Sequence, residues 1–286
     1  MAALICKLLN IPTIFIPHGA IGEGYITVIP KDCDIFILNS EIEKEFLLDN
    51  KLNPKIYANR LIPVGNLYFK KENSSKIHKI IDIFDNKKVF DLNNYNYKIL
   101  LALNYDYLST VKPFINFKII NEFIKILKTD KYRNKILLII KLHPTDNIEN
   151  YRSFFQKNEE ANIVLVHKQD IRSIILSVDI FFTPPSTTIL EGILFKTPTI
   201  MMTYNYYPTE ILYKDEKYIR AVDNYDQIEE TLDIFFNNNE FRKKYIDKAY
   251  NYGLKFCKNY DKINDEKRIF SEIYEIIHKL TKKESV

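Results

Sequence analysis

Three of the chain's five histidines follow directly on short apolar runs, a placement from which an imidazole can do chemistry. His18 ends the run Pro12-Thr-Ile-Phe-Ile-Pro17 and precedes Gly19, Gly22 and Gly24. A neutral imidazole there can serve as general base on a hydroxyl, and the glycines let backbone approach a ligand. His143 closes Ile136–Leu142, and Pro144 fixes the turn after it. A histidine at that point can donate to a diphosphate or to a leaving group. His167 ends Asn162–Val166, where a backbone role beside a nucleobase, or no role, fits better than catalysis. Ser186-Thr187-Thr188 follow Pro184-Pro185 and open a helical stretch. Ser186 is a good N-cap residue. The hydroxyls and N–H groups at 187–189 then point out of the helix start, an arrangement that holds phosphate through hydrogen bonds and the helix dipole. Glu191, one turn on, can accept from ribose hydroxyls. Each feature also has an ordinary reading: Ser186 as a plain cap with a solvated Glu191, His143 as a strand-end histidine satisfied by backbone, His18 as a loop histidine.

Other chemistry-bearing residues carry less. Asp32-Cys33-Asp34 matches a metal-binding acidic pair by eye but precedes its strand, at the wrong end of a sheet for a ligand. Asp106 is an isolated acid, and Tyr204–Tyr207 could line a sugar or acceptor pocket. Cys6, Cys33 and Cys257 have no metal or disulfide spacing, which fits a reduced, cytoplasmic setting. No metal site is expected.

The elements that must position these residues alternate. Apolar strand-like runs at 12–17, 34–38, 61–65, 98–104, 136–142, 162–166, 179–182 and 197–202 are separated by helical patterns, among them 41–49, 113–128, 171–177 and 186–195. Ser40 with Glu43 three residues later is a capping box. Near-continuous apolar strands between helices mean parallel sheets covered on both faces. We expect a partial N-terminal Rossmann-like domain over 1–69, short of strands and so truncated or completed by a partner. A linker follows at 70–96, with a helical patch at Ile77, Ile80, Ile81 and Phe84. A second Rossmann-like domain covers 97–240, and helices cover 241–286. The helix at 264–280 carries Ile269, Phe270, Ile273, Ile276, Ile277 and Leu280 as a core-packing stripe rather than a membrane face.

Composition sets outer bounds. Over 286 residues, 46% apolar and 27% charged content excludes disorder. A net charge of +4 is too mild to argue for nucleic acid. With only 6 glycines, a glycine-rich phosphate loop is not expected. No apolar run approaches the ~20 residues of a bilayer span, and the N-terminus has no leader pattern.

Read together and in order, Lys141-Leu-His-Pro144, Asp179-Ile-Phe-Phe-Thr-Pro-Pro-Ser-Thr-Thr-Ile-Leu-Glu191 and Gly192-Ile-Leu-Phe-Lys-Thr-Pro-Thr-Ile200 resemble the GT-B superfamily of nucleotide-sugar enzymes. They are most similar to its bacterial surface and capsular polysaccharide transferases, glycerophosphotransferase-like and sialyltransferase-like. Residues 98–220 carry the resemblance. Residues 11–69 carry it more weakly, at His18-Gly19, Asn39-Ser40 and Val64-Gly65. It implies an α/β, GT-B-like chain of two Rossmann-like parallel-sheet domains. The implied activity is a metal-independent glycosyl or glycerophosphate transfer from a nucleotide-sugar or CDP-glycerol-type donor to a glycan or lipid-linked acceptor, with no separate cofactor. Ser186, Thr187, Thr188 and His143 would hold the donor phosphates, Glu191 the ribose, His167 the nucleobase side, and His18 would act as base. The setting implied is the cytoplasm, at the inner face of the membrane; peripheral membrane association and homo-oligomerisation stay open, and no nucleic acid partner is implied. Two alternatives stand beside it. One is a UDP-N-acetylglucosamine 2-epimerase-like isomerase, although the Gly-Gly-x-x-Glu-Glu pattern of those enzymes is missing. The other is a non-catalytic nucleotide-sugar-binding remnant.

Overall fold

The computed structural model describes residues 2–17, 32–50, 52–65, 75–85, 88–103, 115–156, 162–204, 215, 217–257 and 265–282. The chain divides into two compact units: one of residues 1–72, 209–215 and 251–286, the other of residues 73–208 and 216–250.

The first unit holds a three-stranded parallel sheet in the order β1 (Ile14–Phe15), β2 (Ile35–Leu38), β3 (Leu61–Pro63). Helix α1 is Ala2–Leu8, α2 is Glu41–Asn50 and α3 is Pro54–Tyr57. The capping box forms at the start of α2. The Glu43 backbone N–H donates to Ser40 Oγ at 3.3 Å, and the Glu43 carboxylate reaches back to the backbone and side-chain N–H groups of Asn39 at 2.7 and 2.9 Å. Alternate strand residues feed opposite faces. Phe36 and Leu38 pack with Leu47, Leu52 and Leu61, whereas Ile37 and Val64 pack with Ile269 and Ile273. The last two lie on the unit's final helix, Asp265–Lys282. Its expected core stripe is therefore narrower than the sequence pattern suggests. Ile269 and Ile273 are buried, but Phe270 and Ile277 face outward with Tyr274. A covering helix buries only the residues over the sheet.

The second unit is built on six parallel strands in the order β11-β10-β9-β6-β7-β8. They are β6 (Tyr97–Ala102), β7 (Ile136–Lys141), β8 (Ile163–Val166), β9 (Ile180–Thr183), β10 (Thr199–Met202) and β11 (Ala221–Val222). All but β11 were legible in the sequence. Ile99, Leu101, Leu138, Ile140 and Phe182 form one core face with Ile120 and Phe123 of helix α4 (Ile115–Lys128) and with Leu232 and Phe235. Leu100, Leu137, Ile139 and Phe181 form the other with Ile174 and Ile175. Helices α5 (Glu149–Gln156), α6 (Ile171–Ile175), α7 (Thr188–Leu194), α8 (Tyr225–Asn237) and α9 (Asn239–Gly253) follow, and the chain's last helix, α10, is Asp265–Lys282 of the first unit. Strand order runs outward from β6 through β7 and β8, then returns to the other side of β6 with β9. The point of reversal, between β6 and β9, is where a doubly wound sheet leaves a crevice at its carboxyl edge.

Where a linker with a helical patch is expected, the structure has an antiparallel ribbon, β4 (Lys79–Ile81) with β5 (Val89–Asp91). The spacing of Ile77, Ile80, Ile81 and Phe84 imitates a helix, but burial follows a period of two. Ile80 opposite Phe90 is buried, and its neighbours Lys79 and Ile81 are exposed. Ile83 N–H donates to the Leu165 carbonyl at 2.9 Å, and the Asp82 carboxylate accepts from Leu165 N–H at 3.1 Å. The segment thereby supplies hydrogen-bond partners along the open edge of β8. Among the described residues no helix is long and apolar enough to cross a membrane.

Gly192 marks where α7 meets the sheet. A Cβ built there would lie 2.7 Å from Phe181 Cδ1 and collide with the Thr199 hydroxyl, which is itself fixed by donating to the Thr197 carbonyl at 2.9 Å. Both neighbours are fully buried. We therefore expect Gly192→Ala to lower unfolding stability in urea by ~1–3 kcal/mol through overpacking. A variant as stable as the wild type would mean that α7 can lift away from β9 and β10.

Candidate functional site

Strands β7, β8 and β9 end at the same edge of the second unit's sheet, and His143, His167 and Ser186 follow them. Parallel pairing sets Lys141, the last residue of β7, opposite Val166, the last of β8. Lys141 is only 7% exposed, and its ammonium donates to the Leu142 carbonyl at 3.0 Å and the His167 carbonyl at 2.6 Å. Burial pulls its pKa down, and Asp146 and Asp170 oppose that shift. His167 answers in the other direction. Its Nε2 lies 3.1 Å from both the His143 and Pro144 carbonyl oxygens, so Nε2 carries a proton and donates. Its Nδ1, like the side-chain oxygen of Gln169, is buried with no protein partner. Lys141, Pro144, His167, Gln169, Asp170 and Ile171 line a cleft of about 460 Å³ at this point.

The His143 ring is oriented by the turn it begins. The Thr145 backbone N–H points at Nδ1 from 3.3 Å, and the Thr145 hydroxyl lies 2.7 Å from the same atom. A backbone N–H can only donate, so Nδ1 accepts and the neutral ring carries its proton on Nε2. The backbone N–H of His143 donates to Asp146 Oδ2 at 3.1 Å, and the Tyr151 hydroxyl reaches the same oxygen at 3.4 Å. Burial lowers the His143 pKa; Asp146 resists, and Lys141 and His167 add to the lowering. The group is therefore a neutral donor near pH 7, with an ammonium beside it.

Across β6, the loop after β9 carries a knot of hydroxyls. Thr183 Oγ1 lies 3.0 Å from Thr188 Oγ1 and 3.4 Å from Ser186 Oγ, and Ser186 Oγ accepts from the Thr188 N–H at 3.2 Å. The helix begins at Thr188, with Thr187 rather than Ser186 at the cap position. Residues preceding proline are kept out of the helical region, and Ser186 closes a local turn instead of capping. Thr187 occupies the cap position without a side-chain cap bond. Two strand spacings of ~4.8 Å separate the His143 and Ser186 turns, a gap of about 10 Å that suits a diphosphate with its flanking groups.

Glu191 is buried on α7, and its Oε1 accepts from Arg172 Nε–H at 3.0 Å. Burial raises its pKa, and the guanidinium counters that. Arg172 sits on α6, just past the Asp170 that lines the cleft. No sequence signal joins residues 172 and 191. Lys141 did leave one, a lone cation closing an apolar strand. Asp34 is structural, its carboxylate accepting from the Thr13 N–H and hydroxyl, each at 2.8 Å. The Tyr204 hydroxyl donates to Glu122. His18 with Gly19, Gly22 and Gly24, as well as Asp106, Tyr206 and Tyr207, lie outside the described residues. Among the described residues no group of three or more His, Cys, Asp or Glu is gathered to hold a metal.

No protein-family model matches the chain, and no curated protein does. Solved structures do. The chain superposes on a UDP co-structure of MnaA from S. aureus with a TM-score of 0.61 at 14% identity, covering 96% of this chain and 70% of that one. It matches the UDP-GlcNAc 2-epimerase of Neisseria meningitidis bound to UDP-GlcNAc with a TM-score of 0.56 at 14% identity, covering 89% and 70%. It matches the pneumococcal O-GlcNAc transferase GtfA, in complex with UDP and GlcNAc, with a TM-score of 0.51 at 11% identity, covering 98% and 60%. The chain thus spans 60–70% of the length of these structures. The fold is GT-B-like, with parallel-sheet α/β units.

The environment of His143 sets a sign for stability against pH. Between its lowered folded pKa and the ordinary histidine value, the unfolded chain holds the proton and the folded chain does not. Stability should therefore fall as pH drops through the ordinary histidine value toward the lowered one. His143→Gln, which keeps a donor and does not titrate, should lack that part of the slope. Thermal unfolding of both proteins over a pH series checks this, and parallel curves would show that the fold does not hold this imidazole neutral.

Proposed function

We propose that this chain is a transferase that uses a nucleotide-activated donor, moving a sugar or glycerophosphate onto a glycan or lipid-linked acceptor in bacterial surface polysaccharide synthesis, at the cytoplasmic face of the membrane. The observation that carries the reading is the carboxyl edge of the second unit. There a neutral His143 keeps its Nε2 proton beside the Lys141 ammonium, across β6 from the Ser186–Thr188 hydroxyls. Charge developing on a leaving phosphate would be met by these preorganised donors. His143 Nε2–H would donate to a phosphate oxygen, and the hydroxyls of Ser186, Thr187 and Thr188 would hold the opposite side. Glu191, its second oxygen not used by Arg172 Nε, would accept from the ribose, and the 167–171 segment would flank the base. His18 would take the proton of the acceptor hydroxyl. Because leaving-group charge is met by protein donors, the reaction in this reading needs no divalent cation. MnaA was solved with UDP, and the meningococcal 2-epimerase and GtfA with UDP-GlcNAc or UDP; on that likeness of fold we take a uridine diphosphate donor as the first to try, with a cytidine diphosphate donor beside it on the sequence resemblance alone.

A second reading is a 2-epimerase-like isomerase. It is favoured by the higher TM-score to the N. meningitidis epimerase than to the transferase GtfA. Against it stands the lack, anywhere in this sequence, of the Gly-Gly-x-x-Glu-Glu pattern of those enzymes.

One experiment separates them. The protein is given UDP-N-acetylglucosamine and CDP-glycerol in EDTA, with and without a polysaccharide acceptor, and binding and products are followed by calorimetry and NMR. We expect binding in EDTA, no epimer, and transfer only with acceptor. His143→Ala should weaken donor binding ~10-fold or more, the scale of a hydrogen bond to a charged group. His18→Ala should spare binding and lower turnover ~10²-fold. Epimer formed without acceptor would install the isomerase, and binding that vanishes in EDTA and returns with magnesium would remove the metal-free mechanism.

A further inference from the structure

The opposite edge of the second unit's sheet carries a separate cleft. Lys217, Tyr218 and Arg220 lead into β11, and the Tyr245 hydroxyl donates to the carbonyl of Thr199, the first residue of β10, at 2.5 Å. The cleft therefore lies where β10 and β11 begin, whereas His143, His167 and Ser186 lie where β7, β8 and β9 finish. Its volume is about 630 Å³, within the range of small-ligand sites. Four cations line it, Lys217, Arg220, Lys244 and Lys248; Glu230 pairs with Arg220 at 2.8 Å and Glu240 with Lys244 at 2.6 Å, so the cleft's cationic character rests most on Lys217 and Lys248.

The arrangement is built from aromatic rings as well as charge. The Lys217 and Lys248 ammonium groups lie 5.6 and 5.5 Å from the centre of the same Tyr218 ring. Arg220 is held rigidly. Its Nε–H donates to Thr231 Oγ1 at 2.7 Å, its terminal N–H to Glu230 at 2.8 Å, and its backbone N–H to the Tyr245 hydroxyl at 2.9 Å. Phe241 stacks on Tyr245 with centroids 6.3 Å apart, and Phe235 meets both rings edge-on. Tyr218, Phe241 and Tyr245 thus line the cleft with Phe235 buried behind them; Arg220 is fixed among the rings, and the lysines stand around it.

We propose that this cleft binds an anionic saccharide, one whose sugar units bear phosphate or carboxylate groups. Aromatic faces suit sugar rings, and ammonium and guanidinium groups suit the attached anions. A bilayer fits less well, since membrane-surface sites project apolar side chains and here the rings line a hollow. Nucleic acid fits less well too, since the chain's net charge is only +4. The saccharide half of the assignment rests on the transferase reading, where such a ligand is a distant segment of acceptor or product chain; the anion half rests on the cleft alone.

The test uses the full chain with excess UDP present, so that the donor rim is occupied. Glucose 6-phosphate, glucose, inorganic phosphate and phosphatidylcholine vesicles doped with phosphatidylglycerol are compared by calorimetry and saturation-transfer NMR. Glucose 6-phosphate should bind more tightly than phosphate or glucose. The double variant Lys217→Glu/Lys248→Glu should weaken it by ~10-fold or more, a shift of one decade in Kd, and should leave UDP affinity unchanged. Tyr218→Ala should erase the preference for sugar phosphate over phosphate. Lys248→Gln alone, which keeps the stem's packing, should lower affinity in the same direction and serves if the double variant does not fold. Undiminished binding in the charge variants, equal binding of phosphate and sugar phosphate, or binding to vesicles alone would each overturn the proposal. Loss of UDP binding with glucose 6-phosphate binding intact would instead overturn the transferase reading and leave this site standing.

Discussion

A buried ammonium holds the candidate site together. Taking Lys141 out of water is costly, and the cost is offset by two backbone carbonyls at the ends of neighbouring strands, which accept from it, and by the nearby carboxylates of Asp146 and Asp170. Register makes this possible. With Lys141 opposite Val166, the turns that leave β7 and β8 run side by side. The ammonium then reaches from one turn to the other, and the His167 ring reaches back to the His143 and Pro144 carbonyls. Two turns tied in both directions cannot drift apart, and the His143 ring, held at Nδ1 by Thr145, inherits that rigidity. A donor fixed before its ligand arrives is what electrostatic stabilisation of a leaving phosphate requires.

The rest of the second unit serves the same edge. All six strands are parallel, so their carboxyl ends collect on one side, and the reversal of order at β6 and β9 opens the sheet's crevice there. Gly192 lets α7 lie close on β9 and β10, which brings Glu191 to Arg172. The β4–β5 ribbon and Asp82 satisfy the edge of β8, the strand that ends at His167. The cationic cleft by Tyr218 and Tyr245 stands at the amino ends of β10 and β11, so one sheet offers two anion-suited surfaces at opposite edges.

What could be read from the sequence follows from burial. Strands covered on both faces leave unbroken apolar text, which is why Ile136–Lys141 and Ile180–Thr183 were found almost to the residue. Imidazole or hydroxyl residues that end such runs mark the carboxyl edge of the sheet, which is how His143, His167 and Ser186 stand out. Short ribbons are harder. Ile77, Ile80, Ile81 and Phe84 fit a helical period over one turn, and only the pairing of Ile80 with Phe90 distinguishes a strand. The start of α7 was misplaced because Ser186 bonds the Thr188 N–H in a turn rather than capping the helix. Phe270 and Ile277 read as core because a sequence cannot say how wide a strip of helix its sheet covers. The Arg172–Glu191 pair joins two helices through tertiary packing, with no trace in local spacing.

In the transferase reading a nucleoside diphosphate lies across the carboxyl ends of β7, β6 and β9. A structure of the chain with UDP or CDP tests it most directly. The diphosphate should lie between His143 Nε2 and the Ser186–Thr188 hydroxyls, with the base against the 167–171 segment. Phosphate at the Lys217–Lys248 cleft with an empty carboxyl edge, or a diphosphate that touches neither His143 nor Ser186, would contradict it.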